Sequence, residues 1–303
     1  MRLTDQGIAQ ALQIACLLEA STPKPGNVSP NKEFEDLNYR DFLYSSAAIF
    51  PAFLKLEQKS VGEIIYQAIY ETHSFIESNT NLGIVLLCSP LAYAYAQLRA
   101  KNEIEKFQQN ELIKELRKEL NLVLDNLDQK DAEYCYKAIN YSKAGNLKEV
   151  DQADLSEKPK ITLLKAMQLA EKRDNIAFEY ANDYSITFDY AYPHFQKYSR
   201  IYNKIDKIII MTFLEILAEY PDSLIARKHG DKKAAEISAA AKKVLKSINS
   251  GQADFWQKID DFDQELRAEK NKVNPGTTAD LITAVIFLAI LISGKELIKR
   301  WED

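Results

Sequence analysis

Two carboxylates lie on helix faces that should otherwise present apolar side chains to the protein core. At 100° per residue, Glu19 falls among the apolar residues of the first helical segment, and Asp174 falls among those of a segment spanning residues 161–182. Because an unpaired buried carboxylate is costly, each of them needs a basic partner, a metal ion or water. Neither is placed at the start of its segment, so helix capping does not account for them. A buried salt bridge and a shared polar cavity both stay open.

Three more polar residues have both a local and a functional explanation. Asn81 and Asp280 align with apolar residues of their own helical segments, and Asp222 follows Pro221 at the start of a short one. Capping explains each of them alone, since Asp280 completes a Thr-x-x-Asp capping box and Asp222 stands where an N-cap is expected. Their joint occurrence on several helices favours a central polar cavity, in which carboxylates suit Mg²⁺ and phosphates.

Two loops that contain a Pro-Gly pair have the properties of anion-binding segments. In residues 22–28, two prolines stiffen the chain, Gly26 lets the backbone approach a ligand, and Lys24 offers a fixed positive charge to a phosphate. In residues 274–278, Asn-Pro-Gly-Thr-Thr, backbone N–H groups and two hydroxyls come together at a helix N-terminus. An ordinary rigid turn is the alternative for the first loop.

A basic cluster closes the short segment that Asp222 begins. Arg227, Lys228 and His229 directly precede Gly230. Cations are expected at a helix C-terminus from the helix dipole alone. The cluster therefore indicates phosphate binding only in combination with the other features.

The residue composition and the hydrophobic pattern both predict an all-α fold. Gly and Pro number 9 each among 303 residues, about half of their usual share, and few turn residues favour long helices. Alternation of period two, which is typical of strands, does not last beyond a few residues. We predict one domain over residues 1–303, a multi-helix bundle with a central polar cavity. Residues 145–160 are expected to form an acidic surface loop.

The charge balance, the cysteines and the apolar runs exclude several classes of protein. A net charge of −5 does not provide the basic surface of a nucleic-acid-binding protein. Cys16, Cys88 and Cys135 are widely spaced and form neither a disulfide framework nor a metal-binding pattern. The longest apolar run, near Leu281 to Ile292, has about 12 residues, whereas a membrane span needs about 20. We therefore expect a cytoplasmic protein with neither nucleic acid nor membrane as a partner.

Four stretches between residues 19 and 281 follow one another in the order of the motifs of a known family. They are Glu19-Ala-Ser-Thr-Pro-Lys-Pro-Gly-Asn-Val28, Ser78-Asn-Thr-Asn-Leu-Gly83, Tyr220-Pro-Asp-Ser-Leu-Ile-Ala-Arg-Lys-His-Gly230 and Asn274-Pro-Gly-Thr-Thr-Ala-Asp-Leu281. Together they resemble the triphosphoribosyl-dephospho-CoA synthase family, which makes the prosthetic-group precursor of citrate lyase and malonate decarboxylase. Residues 159–177 also resemble this family. Residues 27–36 and Thr277-Thr278 depart from the citrate-lyase members and look more like a branch found in archaea and in bacteria that use methanopterin-type cofactors.

The resemblance implies an enzyme that uses ATP, together with Mg²⁺, in a glycosyl transfer. The 2′-hydroxyl of dephospho-CoA attacks C1 of the ATP ribose, adenine leaves, and the triphosphate stays on the transferred sugar. The transition state should resemble an oxocarbenium ion. The reaction needs a base for the hydroxyl and neutralisation of the triphosphate charge.

On this basis we assign roles to the polar residues of the four motifs and of the Asp174 segment. Glu19 and Asp174 are the candidate catalytic bases, whereas Asp222 and Asp280 are the candidate Mg²⁺ ligands. The residues expected to bind ATP through its phosphates, ribose or adenine are Lys24, Gly26, Asn27, Asn81, Arg227, His229, Asn274, Gly276 and Thr277.

Two other functions stay open on the sequence. A related enzyme with a different acceptor, or one that hydrolyses a nucleotide N-glycosidic bond, would release adenine without dephospho-CoA. A non-catalytic helical binding protein would show Glu19 and Asp174 charge-paired, with no cavity that joins the four motifs. The sequence is also compatible with a homodimer.

Overall fold

Fourteen α-helices form most of the chain in the computed structural model, which describes residues 3–35, 37–101, 104–142, 159–249, 254–268, 273–294 and 297. The helices are α1 (Asp5–Ser21), α2 (Tyr39–Ala48), α3 (Val61–His73), α4 (Leu82–Ala100), α5 (Gln109–Asp125), α6 (Gln129–Tyr141), α7 (Leu163–Ala170), α8 (Asn175–Ala181), α9 (Tyr192–Ile201), α10 (Ile205–Glu219), α11 (Ser223–His229), α12 (Asp231–Asn249), α13 (Phe255–Arg267) and α14 (Gly276–Ser293). Three short 3₁₀ turns and a π-helical segment, Ile186–Ala191, complete the regular structure. These described ranges contain no β-strand, so the predicted all-α fold is confirmed.

Two apolar helices, α4 and α14, lie in the core of the fold and pack against each other. α1 and α10 pack on α14, while α3 and α5 pack on α4. Both apolar helices are long and apolar enough to cross a membrane, but 83% and 78% of their 18-residue apolar windows are buried inside the protein. Such burial is that of core helices in a bundle. Pro90 lies inside α4 without dividing it, although the sequence predicts a kink or a break there.

Side-chain caps fix the starts of α3 and α6. Ser60 and Glu63 form a capping box at the start of α3, and Asp128 and Asp131 form another at the start of α6. Asp131 also accepts the N–H of Gly62 at 2.7 Å. This bond ties the first turn of α3 to that of α6, two helices that pack along their length.

The segment of residues 161–182 differs from its prediction as one long helix. It forms α7 and α8, which are separated by a turn at residues 171–174. Asp174 caps α8, since its Oδ1 accepts the N–H groups of Ile176 at 2.8 Å and Ala177 at 3.1 Å. Asp174 therefore lies at a helix start, and the premise that capping does not account for it is wrong.

Two expectations about the organisation of the chain are not tested by these helices. The acidic loop expected at residues 145–160 lies outside the described residues as far as residue 158. The single-domain organisation of residues 1–303 stays a prediction, although the buried apolar residues of the described ranges form a contiguous cluster that extends from Leu3 to Ile292.

Candidate active site

A cavity of about 600 Å³ lies among helices that include α1, α4, α8, α11 and α14. Its volume is in the range of small-molecule sites, about 300–1,000 Å³. All four sequence motifs contribute to its wall, through Glu19, Gly83, Arg227 and Asp280 respectively, and Asp174 contributes as well. The fold therefore brings together motifs that are far apart in the chain.

The N-terminal ends of three helices face the cavity. Gly83 of α4, Ile176 of α8 and Gly276 of α14 are among the lining residues, and each lies in the first turn of its helix. The N-terminus of a helix carries a partial positive charge and N–H groups without intrahelical partners. The first N–H groups of α8 are already bonded to Ser223 and Asp174, so the dipoles of α4 and α14 are the ones that favour an anionic ligand.

Asp280 is a carboxylate of the cavity wall. Its side chain lines the cavity, and no donor in the described ranges forms a hydrogen bond with it. Burial raises the pKa of Asp280 well above its ordinary value. The negative charges of Glu19, Asp222 and Asp174 raise this pKa further, and Arg227 opposes them. A partly exposed carboxyl group among like charges is a favourable place for a cation.

The surroundings of Asp280 exclude the capping box that the sequence suggests. α14 begins at Gly276, no side chain caps it, and Asp280 lies one turn into the helix. Its carboxylate lies against the start of α4, where a Cβ atom at Gly83 would be 2.1 Å from Oδ2 and 2.4 Å from Cγ of Asp280. A glycine at position 83 is therefore what lets α4 approach this carboxylate.

Asp222 is a buried cap and not the metal ligand that the sequence analysis expects. Its Oδ1 accepts the N–H groups of Leu224 at 2.9 Å and Ile225 at 3.1 Å. Its Oδ2 accepts the N–H of Thr278 at 2.7 Å and the hydroxyl of the same residue at 2.8 Å. The pKa of Asp222 is still raised, because burial outweighs these bonds. Four donors satisfy both oxygens, Asp222 does not line the cavity, and the capping alternative is the correct one.

Lys24 points into the protein, toward Glu19. Its Nζ lies 2.9 Å from Oε1 of Glu19 and also donates to the backbone oxygens of Glu19 and Thr22. Lys24 is 1% exposed and is not among the residues that line the cavity. The structure therefore does not support Lys24 as a phosphate ligand, because its ammonium group already neutralises a buried carboxylate. Glu19 is paired, as the salt-bridge alternative holds, but it also lines the cavity.

Two further residues that are expected to bind ATP, Gly26 and His229, do not line the cavity. The N–H of Gly26 donates to Oδ1 of Asp263 at 2.8 Å, and the backbone of Gly26, with φ 74°, packs against Pro275. His229 at the end of α11 does not line the cavity, whereas Arg227 does. The basic end of α11 therefore contributes one of the two expected side chains.

The three asparagines assigned to ATP binding line the cavity. Asn27 donates from Nδ2 to Oδ1 of Asn274 at 2.7 Å, and Asn81 donates from Nδ2 to Oγ1 of Thr72 at 2.9 Å. Two oxygen atoms of lining residues, Oδ1 of Asn27 and Oγ1 of Thr80, are buried without a hydrogen-bond partner in the described structure. Because buried polar atoms are nearly always paired in native proteins, these two atoms mark an unsatisfied polar region beside the cavity.

Lys172 and Arg173 are cavity residues that the sequence analysis did not single out. Both are exposed, and both line the cavity from the turn between α7 and α8. Asp231 at the start of α12 is another lining residue that was missed. The signal for the basic pair was its position directly before Asp174 in the stretch that resembles the family. If residues 161–182 formed one continuous helix, however, this basic pair would be expected to lie on its solvent-exposed face.

Apolar side chains of α6 and α7 form another part of the cavity wall. They include Tyr136, Ile139, Leu163 and Met167. Cys135 also lines the cavity, but burial raises the pKa of its thiol to about 12, so it is not a nucleophile at neutral pH. This wall suits an uncharged part of a ligand.

Comparisons with known proteins agree with the motifs and with the fold. A family model described as ATP:dephospho-CoA triphosphoribosyl transferase matches residues 5–298. Among solved structures, a protein from Archaeoglobus fulgidus with the provisional description triphosphoribosyl-dephospho-CoA synthase is similar in fold. Its TM-score is 0.60 at 23% identity, over 82% of this chain and 97% of that chain. No curated protein matches the sequence.

Proposed function

We propose, from the premise that this chain belongs to the ATP:dephospho-CoA triphosphoribosyl transferase family, that the cavity is its active site. The family match over residues 5–298 confirms the resemblance of the four motifs. The protein is a transferase that moves the triphosphoribosyl group of ATP to dephospho-CoA. What supports the site is that one cavity joins all four motifs and Asp174. A non-catalytic helical protein was expected to lack a cavity that joins the four motifs, although the pairing of Glu19 with Lys24 agrees with that alternative.

Three cations are proposed to bind the triphosphate of ATP. Lys172, Arg173 and Arg227 are exposed lining residues, as suits groups that meet a charged ligand entering from solvent. Arginine in particular forms bidentate bonds with phosphate oxygens. The N-terminal end of α14, near Gly276 and Thr277, adds the partial positive charge of the helix dipole to this anion site. Lys172 and Arg173 thus take the role that the sequence analysis gave to Lys24.

Mg²⁺ is proposed to bind at Asp280 together with the phosphates. Among the described residues, no group of three His, Cys, Asp or Glu side chains could hold a metal ion without other ligands. Mg²⁺ does not need such a group, because it is commonly bound by one or two carboxylates, water and substrate phosphates. The unpartnered oxygens of Asp280 fit that chemistry, whereas those of Asp222 do not. The bound cation would neutralise triphosphate charge and relieve the repulsion among the carboxylates.

Asp174 is the proposed base for the attacking hydroxyl. It lines the cavity, and the bonds that cap α8 involve only its Oδ1. Glu19 is the second candidate, but one of its oxygens already bonds the ammonium group of Lys24. A base acts by taking the proton of the 2′-hydroxyl as that oxygen bonds to C1 of the ribose. The electron pair of the broken glycosidic bond leaves with adenine.

The uncharged parts of the substrates are proposed to contact the amide and apolar walls. Asn27, Asn81 and Asn274 offer donors and acceptors that suit ribose hydroxyls. Tyr136 and Met167 belong to the apolar wall, which suits a nucleobase or an extended apolar chain. The location is proposed to be cytoplasmic, because the three cysteines are free and buried, as is usual in a reducing compartment.

The decisive experiment is an incubation of the protein with ATP and Mg²⁺, with and without dephospho-CoA. Free adenine is measured by chromatography, and the CoA species is measured by mass spectrometry. We expect adenine only when dephospho-CoA is present, together with a heavier CoA species that carries the triphosphoribosyl group. The matched control is the variant Asp280→Asn, which should release adenine at a much lower rate.

Other outcomes distinguish the alternative functions. Adenine that forms without any acceptor would indicate hydrolysis of the N-glycosidic bond. Adenine that forms only with another cofactor precursor would indicate a related transferase with a different acceptor. Tight ATP binding without any adenine would contradict the assignment of the reaction to this cavity.

A further inference from the structure

Two charged residues of α13 hold the loop of residues 22–28 from outside the cavity. Asp263 is buried, and its Oδ1 accepts the N–H of Gly26 at 2.8 Å and Nε of Arg267 at 2.9 Å. Arg267 in turn donates from Nη2 to the backbone oxygen of Asn27. Lys32 adds a contact on the same side, with Nζ 3.1 Å from Oδ2 of Asp263. The pair of acid and base thus binds the backbone of two consecutive loop residues.

The backbone oxygen that Arg267 binds belongs to a residue of the cavity wall. Asn27 donates from Nδ2 to Oδ1 of Asn274 at 2.7 Å and to the backbone oxygen of Pro275 at 3.4 Å. It therefore connects the first motif to the loop before α14. Its Oδ1 is buried and has no hydrogen-bond partner in the part of the chain that the structure describes. The position of the Asn27 side chain in the cavity wall is therefore fixed through its amide nitrogen and its backbone.

We infer that Asp263 and Arg267 are positioning residues of the ATP site, which set the place of Asn27 and of the bonds that Asn27 makes. The inference rests on the proposed function, because it takes the cavity as the site of ATP. Neither Asp263 nor Arg267 lines the cavity, so both act through Asn27 and contact no substrate. Both also lie outside the four motifs.

The geometry of the pair requires a guanidinium group and a tight loop. Arg267 uses Nε toward Asp263 and Nη2 toward Asn27, and its planar fork of donors serves both partners at once. A lysine presents all its donors from one nitrogen and cannot reproduce this arrangement. The loop packs closely on the helix, since a Cβ at Gly26 would lie 2.8 Å from Leu266. A shift of the Arg267 side chain should therefore also shift the backbone of Asn27.

A double-mutant cycle between Arg267 and Asn27 tests the inference. The variants Arg267→Ala, Asn27→Ala and the double variant are compared with the wild type for ATP·Mg²⁺ affinity by calorimetry and for kcat and KM of adenine release. If Arg267 acts through the side chain of Asn27, each single variant lowers kcat/KM roughly tenfold or more, and the double variant falls no more than about twofold below Asn27→Ala. A purely structural role would make the two effects multiply.

The control for lost charge and packing is Arg117→Ala. Arg117 forms an equally well-formed pair with Asp189, at 2.5 and 2.7 Å, and neither residue lines the cavity. This variant should keep kcat/KM within about twofold of the wild type. If Arg267→Ala does not fold, Arg267→Lys replaces it in the same cycle, because it keeps the charge but not the fork.

Two results would overturn the inference. One is a folded Arg267 variant with kcat/KM and ATP affinity within twofold of the wild type; the other is a double variant whose loss equals the product of the single losses. Failure of the proposed function is seen separately. In that case the wild type forms no triphosphoribosylated product, and the same cycle measured by ATP affinity alone decides whether Arg267 positions Asn27.

Discussion

At the scale of single residues, the carboxylates around the cavity differ in how far the fold satisfies them. Asp222 accepts four hydrogen bonds, and Glu19 is paired with Lys24. Among the residues that the structure describes, Asp280 has no such partner, and its pKa is raised by burial and by its acidic neighbours. A carboxylate that is held among like charges is retained in a fold at a cost in stability. Asp280 is therefore the carboxylate to which we assign the binding of Mg²⁺.

Variants of Asp222 and Asp280 should have opposite effects on stability and activity. Asp222→Ala removes the cap of α11 and leaves two donors of Thr278 unpaired, so the free energy of unfolding should fall by roughly 2–4 kcal/mol. Asp280→Asn removes a carboxylate from repulsive surroundings and should not lower stability, but it should lower adenine release at least about a hundredfold. Urea unfolding and the adenine assay measure the two effects. Full activity of folded Asp280→Asn would refute the Mg²⁺ assignment.

The substitution Lys24→Met tests whether Lys24 serves the fold or the ligand. Removal of the ammonium group leaves Glu19 charged, buried and uncompensated, so the free energy of unfolding should fall by about 3–5 kcal/mol. The double variant Lys24→Met/Glu19→Leu should recover much of this loss. Urea unfolding of both variants is the measurement. A Lys24→Met protein with wild-type stability and weakened ATP binding would restore the phosphate role.

At the scale of the helices, the site depends on how closely the ends of α4 and α14 approach. Gly83 lies in the first turn of α4, and the carboxylate of Asp280 occupies the space that a Cβ would take. Glycine within a helix normally costs about 0.5–1 kcal/mol relative to alanine. At this position glycine leaves the space that the carboxylate of Asp280 occupies.

The substitution Gly83→Ala should therefore separate helix propensity from site geometry. Its Cβ would lie 2.1 Å from Oδ2 of Asp280, so the carboxylate must move and adenine release should fall at least tenfold. The control is Gly7→Ala in α1, where the nearest contact of a Cβ is the side chain of Leu3 at 3.2 Å. Adenine release and circular dichroism are measured for both. Equal activity of the two variants would contradict the importance of this contact.

At the scale of the whole molecule, a buried carboxyl group couples stability to pH. Glu179 is 0% exposed and accepts the N–H groups of Ile186 at 2.9 Å and Thr187 at 2.8 Å, as well as the hydroxyl of Thr187. Burial raises the pKa of Glu179 to about 7, although these bonds and the charge of Arg117 lower it. The residue supports the π-helical segment at residues 186–191.

Stability should consequently fall as pH rises from about 4.5 to 7. In this range the folded protein keeps a proton on Glu179 that the unfolded chain has released. The contribution of Glu179 to the free energy of unfolding is therefore complete at low pH and is lost as pH rises through the pKa of the folded state. The slope is at most about 1.4 kcal/mol per pH unit. Urea unfolding between pH 4.5 and 8 should show this slope reduced in Glu179→Gln. An equal slope in the wild type and in Glu179→Gln would refute the role of Glu179. The control is Glu77→Gln, because Glu77 is exposed.

Local sequence patterns predicted much of the fold, but they did not predict the break between α7 and α8. The low content of Gly and Pro and the helical periodicity indicate an all-α bundle, because both depend on neighbouring residues only. The turn before Asp174 was missed, because its apolar spacing continues that of α7. The cap that breaks the helix competes with that periodicity through bonds of one side chain to Ile176 and Ala177.

By itself the sequence determined the class of fold, the family and the motifs that meet in the cavity, since these depend on residue types and their order. Only the tertiary structure decided which polar residues are free to act. Asp222 is satisfied by Thr278 of another helix, Lys24 turns inward to Glu19, and the Lys172–Arg173 pair reaches the cavity. The physical reason is that a buried polar group takes partners wherever packing brings them, so its role depends on neighbours that are distant in the chain.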